Sequence, residues 1–157
     1  MTRDDRHIPR TRAVGTISLA SEFLQTARSA RLESTVEAPS FAGYFLLGHA
    51  LELAFKATLI ADGTTEKRLK RIGHDLVRAC NASLRVTSDA VAILPEDYAR
   101  IQMLSSVYKA KALEYLEPGF VRLPVPAELV ATTDAIVSTV KLYVERRIRT
   151  EIAQSAV

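Results

Sequence analysis

Phe41-Ala42-Gly43-Tyr44-Phe45-Leu46-Leu47-Gly48-His49-Ala50-Leu51-Glu52-Leu53-Ala54-Phe55-Lys56-Ala57-Thr58-Leu59-Ile60 is apolar on nearly every side of a helical wheel. A helix apolar all round is buried, either in a protein core or in a membrane. Glu52 and Lys56 near its middle, with His49 beside them, decide between the two. A Lys at the centre of a membrane span costs roughly 2.5–3.5 kcal/mol, and each Leu, Ile or Phe returns only about 0.3–0.6. The segment therefore reads as the central helix of a bundle, about Ser40 to Asp62, and no membrane is expected. Pro39 stands before it, and Gly63 closes it where a left-handed cap is needed.

Four further helices follow from the periodicity around this one. Val14, Ile17, Leu24 and Ala27 make one stripe over about Ala13 to Ser34, with Phe23 and Ala30 beside it. Leu76, Ala79, Cys80, Ser83 and Leu84 recur at helical spacing over about Asp75 to Val86. Pro95, followed by Glu96 and Asp97, opens a helix whose face carries Ile101, Leu104, Tyr108 and Tyr115, until Pro118-Gly119 stops it. Pro126 and Glu128 open the last in the same way, with Leu129, Ile136, Val140 and Val144 on its apolar face. Arg146, Arg147 and Arg149 read as a last-turn cluster facing the negative end of its dipole. The basic stretch Thr64 to Gly73 reads as a loop. The fold class is all-α: an antiparallel bundle of four to five helices. Residues 1–12, with Arg3, Arg6, Arg10 and Arg12, are expected to form a flexible basic arm, and 13–157 a single helical-bundle domain.

Composition narrows the setting. With 157 residues and 48% hydrophobic content the chain can build a core without metal or disulfide staples. Cys80 is the lone cysteine, so it has no partner within the chain, and a reducing, cytoplasmic compartment is expected. The net charge of +3 is compatible with nucleic acid without requiring it.

Three groups of residues could carry chemistry. His49, Glu52 and Lys56 fall at i, i+3 and i+7, within a narrow arc of one helix. They form either a solvated or internally paired stripe, or a ligand or catalytic site. Gly73-His74-Asp75-Leu76 is a helix start in which Asp75 can cap free amides and His74 can donate to Glu52 if the two helices lie side by side. Lys67, Arg68, Lys70, Arg71 and Arg78 form the densest basic cluster, offset only by Glu66 and Asp75. Such a cluster either stays solvated or holds phosphates, in this case without an aromatic residue to stack a base. No second cluster of His, Cys, Asp or Glu completes a metal site, and no motif calls for a cofactor.

Together, Gly48-His49-Ala50-Leu51-Glu52-Leu53-Ala54-Phe55-Lys56-Ala57 and Gly73-His74-Asp75-Leu76 resemble the HEPN family of helical bundles, over about Phe41 to Leu116. Tyr108 through Tyr115 is similar to the family's later helix. The resemblance implies a bundle of four or five helices that commonly forms a homodimer. It implies either a metal-independent ribonuclease of toxin–antitoxin and phage-defence systems or an inactive relative that binds RNA, nucleotides or partner proteins. Active members carry an Arg and a His spaced R-x4–6-H at the dimer seam. Here only Arg68 and His74 have that spacing; Leu69 follows the Arg, and the pair precedes the third helix instead of starting the late one. No His stands around Arg100 and Tyr108, where the motif belongs. The expectation is a non-catalytic binding or interaction module for RNA, nucleotide or a partner protein. The alternatives are a metal-independent, toxin-like endoribonuclease using His74 and Arg68, and a structural partner of a nucleotidyltransferase-like protein.

Overall fold

Ser40 starts the central helix by accepting a hydrogen bond from the Gly43 amide at 3.2 Å, which satisfies one of the donors a helix start leaves unpaired. The computed structural model describes residues 8–29, 40–110 and 122–155. Its helices are α1 (Arg12–Ser29), α2 (Phe41–Ala61), α3 (Glu66–Ile72), α4 (Leu76–Thr87), α5 (Pro95–Tyr108) and α6 (Pro126–Ser155), with a short 3-10 turn after α4. The described residues contain no strand. The continuation of the first helix through Ala30 to Ser34, Pro39, the reach of the later helix to Tyr115 and its stop at Pro118-Gly119 lie outside the described residues.

α2 is the axis of the molecule. By length and composition it could cross a membrane, but 72% of its most apolar window is buried inside the chain. Leu47, Leu51, Phe55 and Leu59 are fully buried, covered by α1, α4, α5 and α6, each of which packs against it. Most of the residues their spacing predicts are buried: Ile17 and Leu24, Leu76 and Ala79, Ile101 and Leu104, Leu129 and Val140; Val14, expected on the stripe of the first helix, is instead exposed, and its neighbour Ala13 is buried. Polar ties fix the packing. The Tyr44 hydroxyl donates to the Pro124 carbonyl at 2.6 Å, and the Thr58 and Ser83 hydroxyls are hydrogen-bonded to each other across α2 and α4 at 2.7 Å.

Three local expectations change. The stretch Thr64 to Gly73 is not a loop throughout, because Thr65 accepts from the Arg68 amide at 3.3 Å and starts the two-turn helix α3. Ile72 anchors it in the core, and Gly73 ends it at φ +63°, a conformation that suits glycine. The end of the expected arm belongs to the body: Ile8 is buried, Arg10 pairs with Glu151 at 3.3 Å and Arg12 with Glu66 at 3.6 Å. Residues 1–7 lie outside the described residues. Finally, α6 runs on to Ser155, so Arg146, Arg147 and Arg149 are not in its last turn. Arg147 instead reaches Asp62, the C-cap of α2, at 3.1 Å.

Candidate functional site

Glu52 is the most costly residue of α2 to bury, and it is only 3% exposed. An ionised carboxylate in that position must be fully paired. Lys56, one turn along α2, donates to Oε1 at 2.5 Å. On Oε2, the Tyr108 hydroxyl of α5 donates at 2.7 Å and His74 Nδ1, just before α4, at 3.1 Å. Burial by itself pushes the Glu52 carboxyl upward, but the hydrogen bonds from Lys56, Tyr108 and His74 outweigh it and hold the group below its ordinary value. Three elements therefore converge on one negative charge.

The proton positions follow from counting donors. Ionised Glu52 has no hydrogen to give, so His74 carries its proton on Nδ1. Tyr108 has a single hydroxyl hydrogen and gives it to Glu52. His49 Nδ1, 3.1 Å from the same hydroxyl, must then be a donor as well. His49 sits against Phe23 of α1, ring centroids 4.5 Å apart, and lies stacked near Phe45 at 6.0 Å. Burial among these rings lowers its pKa; Glu52 opposes that shift, while Lys56 and His74 add to it. His49 is thus held neutral. His74 differs in being 64% exposed, with Nε2 left as the ring's basic nitrogen.

Asp75 performs the capping role its position suggests. Its Oδ1 accepts from the Arg78 amide at 3.1 Å and from the Ser105 hydroxyl at 3.4 Å. Lys109 approaches Oδ2 at 3.3 Å. Burial again pushes this carboxyl upward, and the Arg78 amide, Lys109 and Ser105 outweigh it. Asp75 therefore joins the start of α4 to the end of α5.

The basic cluster divides in two. Arg68 and Arg71 of α3 and Arg78 of α4 line a cleft of about 300 Å³ together with Ile72, Asn81, Ala82 and Arg85. Lys67 and Lys70, exposed on α3, are not among its lining residues. The two acids that offset this charge in the sequence are engaged elsewhere, Glu66 by Arg12 and Asp75 by Lys109. Asn81 Oδ1 accepts from the Tyr98 hydroxyl at 3.2 Å, which leaves its amide hydrogens as donors.

The candidates read from sequence thus occupy two places. His49, Glu52, Lys56 and His74 come together around one carboxylate, with Asp75 next in chain. Arg68, Arg71 and Arg78 come together in the cleft. Arg68 lines the cleft, whereas His74 turns to Glu52 and Tyr108. Arg100, near which the family motif belongs, bonds Asp97 at 2.9 Å and Glu128 at 3.1 Å and ties α5 to α6. Cys80 is fully buried, and burial pushes its thiol up to about 12, so at neutral pH it is an inert core residue. Among the described residues no group of three His, Cys, Asp or Glu side chains could hold a metal ion.

Sequence reasoning missed Tyr108, Asn81 and Arg85 as site residues. Tyr108 shares an apolar stripe with Ile101 and Leu104, but a buried Tyr hydroxyl needs a partner, and a buried Glu is a natural one. Arg85 stands seven residues after Arg78, two turns along the same helix face, with Asn81 between them. No family model matches this chain, and neither a curated protein nor a solved structure matches it.

Proposed function

We propose that this chain is a HEPN-like, non-catalytic binding module that takes RNA by its phosphates and works as a homodimer. The observation that carries the reading is the cleft in which four arginines from two helices meet with no acidic side chain among the described residues of the lining. Guanidinium groups bind phosphate oxygens in pairs and keep their charge at any physiological pH. The resemblance carried by Gly48 to Ala57 and Gly73 to Leu76 supports the same class. The Glu52 cluster then serves as the internal polar joint that holds α4 and α5 on α2. Homodimerisation rests on the resemblance, since α2 is already largely covered within one chain.

One observation favours the alternative, a metal-independent endoribonuclease. Exposed His74, oriented by buried Glu52 through Nδ1, has the form of a carboxylate-supported general base. Against it stands the separation of roles: Arg68 lines the cleft with Arg71, while His74 is bonded to Glu52. The two readings part in a single experiment. Purified protein is incubated with a short single-stranded RNA in EDTA, beside His74→Ala, while retention and length of the RNA are followed. The proposal expects retained, intact RNA with both proteins. Cleavage abolished by His74→Ala would establish the nuclease instead, and absence of any RNA retention at low salt would end the RNA reading.

A further inference from the structure

We infer that the cleft between α3 and α4 is a pocket for a polyphosphate group, the kind carried by the 5′ end of an unprocessed RNA or by a free nucleotide. The inference rests on the phosphate-binding reading above and sharpens it to one ligand chemistry.

Charge density is the first reason. α3 contributes Arg68 and Arg71 at i and i+3, with Ile72 beside them. α4 contributes Arg78, Asn81, Ala82 and Arg85 at i, i+3, i+4 and i+7, so each helix turns one face into the cleft. None of the four guanidinium groups forms an ion pair among the described residues. Four permanent like charges around one small space repel each other until an anion separates them. An internal phosphodiester brings one negative charge and two free oxygens, too few for four forks. A triphosphate brings three to four charges within the span of a few bonds.

Size is the second reason. A volume of about 300 Å³ lies at the lower end of ordinary small-molecule sites, roughly 300–1,000 Å³. A strand could supply four charges only by laying several nucleotides across the site, which needs a longer groove.

The lining is the third reason. Asn81, held through Oδ1 by Tyr98, offers a neutral donor pair among the arginines. Ile72 and Ala82 supply the apolar part, and no aromatic ring stands among the described lining residues to stack a base. Such a site reads phosphate and ignores base identity.

The test uses the whole chain and calorimetric titration of inorganic tripolyphosphate and orthophosphate at low salt. Tripolyphosphate is expected to bind one per chain, at least about tenfold tighter than orthophosphate, because it meets more of the arginine forks. Arg78→Ala with Arg85→Ala should weaken it by about tenfold or more, while Lys67→Ala with Lys70→Ala changes it by less than about threefold. Arg78→Lys with Arg85→Lys keeps the charge but loses the paired geometry, and should fall between. Circular dichroism melts of each variant establish that it is folded. Equal affinity for the two anions, or indifference to the Arg78/Arg85 substitutions in a folded protein, overturns the pocket.

The sources are separated by comparing one RNA with a 5′-triphosphate, the same RNA with a 5′-hydroxyl, and a free nucleoside triphosphate. Preference for the triphosphate-ended RNA over the free nucleotide assigns the pocket to RNA ends; equal binding assigns it to free polyphosphates. RNA binding that ignores the 5′ end overturns the pocket but leaves the RNA reading standing. Tripolyphosphate binding without any RNA binding does the reverse.

Discussion

A methyl group at position 48 would stand 2.6 Å from Tyr108 Cδ2 and 2.8 Å from Cε2. Gly48 is fully enclosed within α2, and Tyr108 is a rigid ring only 6% exposed, so neither side can yield cheaply. The missing side chain lets the ring lie on the helix backbone and carries its hydroxyl to Glu52. Gly48→Ala should raise intrinsic helix propensity by about 1 kcal/mol, yet overpacking costs about 1–3 kcal/mol and the Tyr108–Glu52 bond shifts with the ring. The expected net result is destabilisation by roughly 1–2 kcal/mol, measured by denaturant unfolding; a more stable variant would contradict this packing. Thr64 presents the opposite case. Its Oγ1 is buried without a hydrogen-bond partner among the described residues, so Thr64→Val should remove an unsatisfied hydroxyl and stabilise by roughly 1 kcal/mol. A loss of stability in the same melt would mean that the hydroxyl is satisfied after all.

Between elements, His49, Glu52 and Asp75 at and beside the Glu52 joint are shifted in one direction. His49 is lowered by burial among Phe23 and Phe45, and Glu52 and Asp75 are lowered by donors that outweigh their burial. A group whose folded pKa is depressed contributes stability above its unfolded pKa and loses it as pH falls through the folded one. Stability should therefore begin to fall below the ordinary His value of 6.5. It should fall again below the ordinary carboxyl values of 4.5 for Glu52 and 3.8 for Asp75. Unfolding free energies measured from about pH 8 to about pH 3 should show both stages. His49→Asn should remove the upper stage, and Glu52→Gln should weaken the lower one while lowering stability at neutral pH by about 1–3 kcal/mol. Stability that rises between pH 7 and 5 would be incompatible with a neutral, half-buried His49. The helices that meet here were legible in the sequence because their apolar stripes span three turns or more. The pairing of His74 with Glu52 was legible too, since a buried carboxylate needs a donor and the Gly73-His74-Asp75 turn offers one. Tyr108 and α3 were not. The partner of a Tyr on α5 depends on how α5 lies across α2, which is a tertiary fact. α3 has only seven residues, too few for periodicity to separate it from a charged loop, and only Thr65 and Gly73 mark its ends.

On the scale of the whole molecule, the net charge of +3 understates the local field. Among the described residues most acids are engaged by cations outside the cleft: Asp62 with Arg147, Glu66 with Arg12, Asp75 with Lys109, Asp134 with Arg28 and Glu151 with Arg10. Asp97 and Glu128 share Arg100. Exposed pairs of this kind contribute little to stability, but they leave the arginines of α3 and α4 that line the cleft without an ion pair among the described residues. Binding of RNA there must release condensed counterions. At about 0.7 per phosphate charge neutralised, the single-strand value, the three to four charges of a 5′-triphosphate end give a slope of log affinity against log salt of about −2 to −3. Arg78→Ala with Arg85→Ala should flatten that slope by about 1.4, two contacts' worth, and hardly alter base preference, because neither residue reads a base edge. Both arginines are exposed, so the fold should survive with stability changes within about 0.5 kcal/mol. Anisotropy titrations of one short RNA at several salt concentrations, wild type beside the double variant, measure the slope directly. If the slope ignores the substitution, the phosphates sit elsewhere, and Lys67, Lys70 and the exposed Arg146 and Arg149 become the next cations to replace. If it flattens as expected while affinity for a 5′-hydroxyl RNA is already weak, the contacts are those of a strand end and the charge has been counted at the cleft itself.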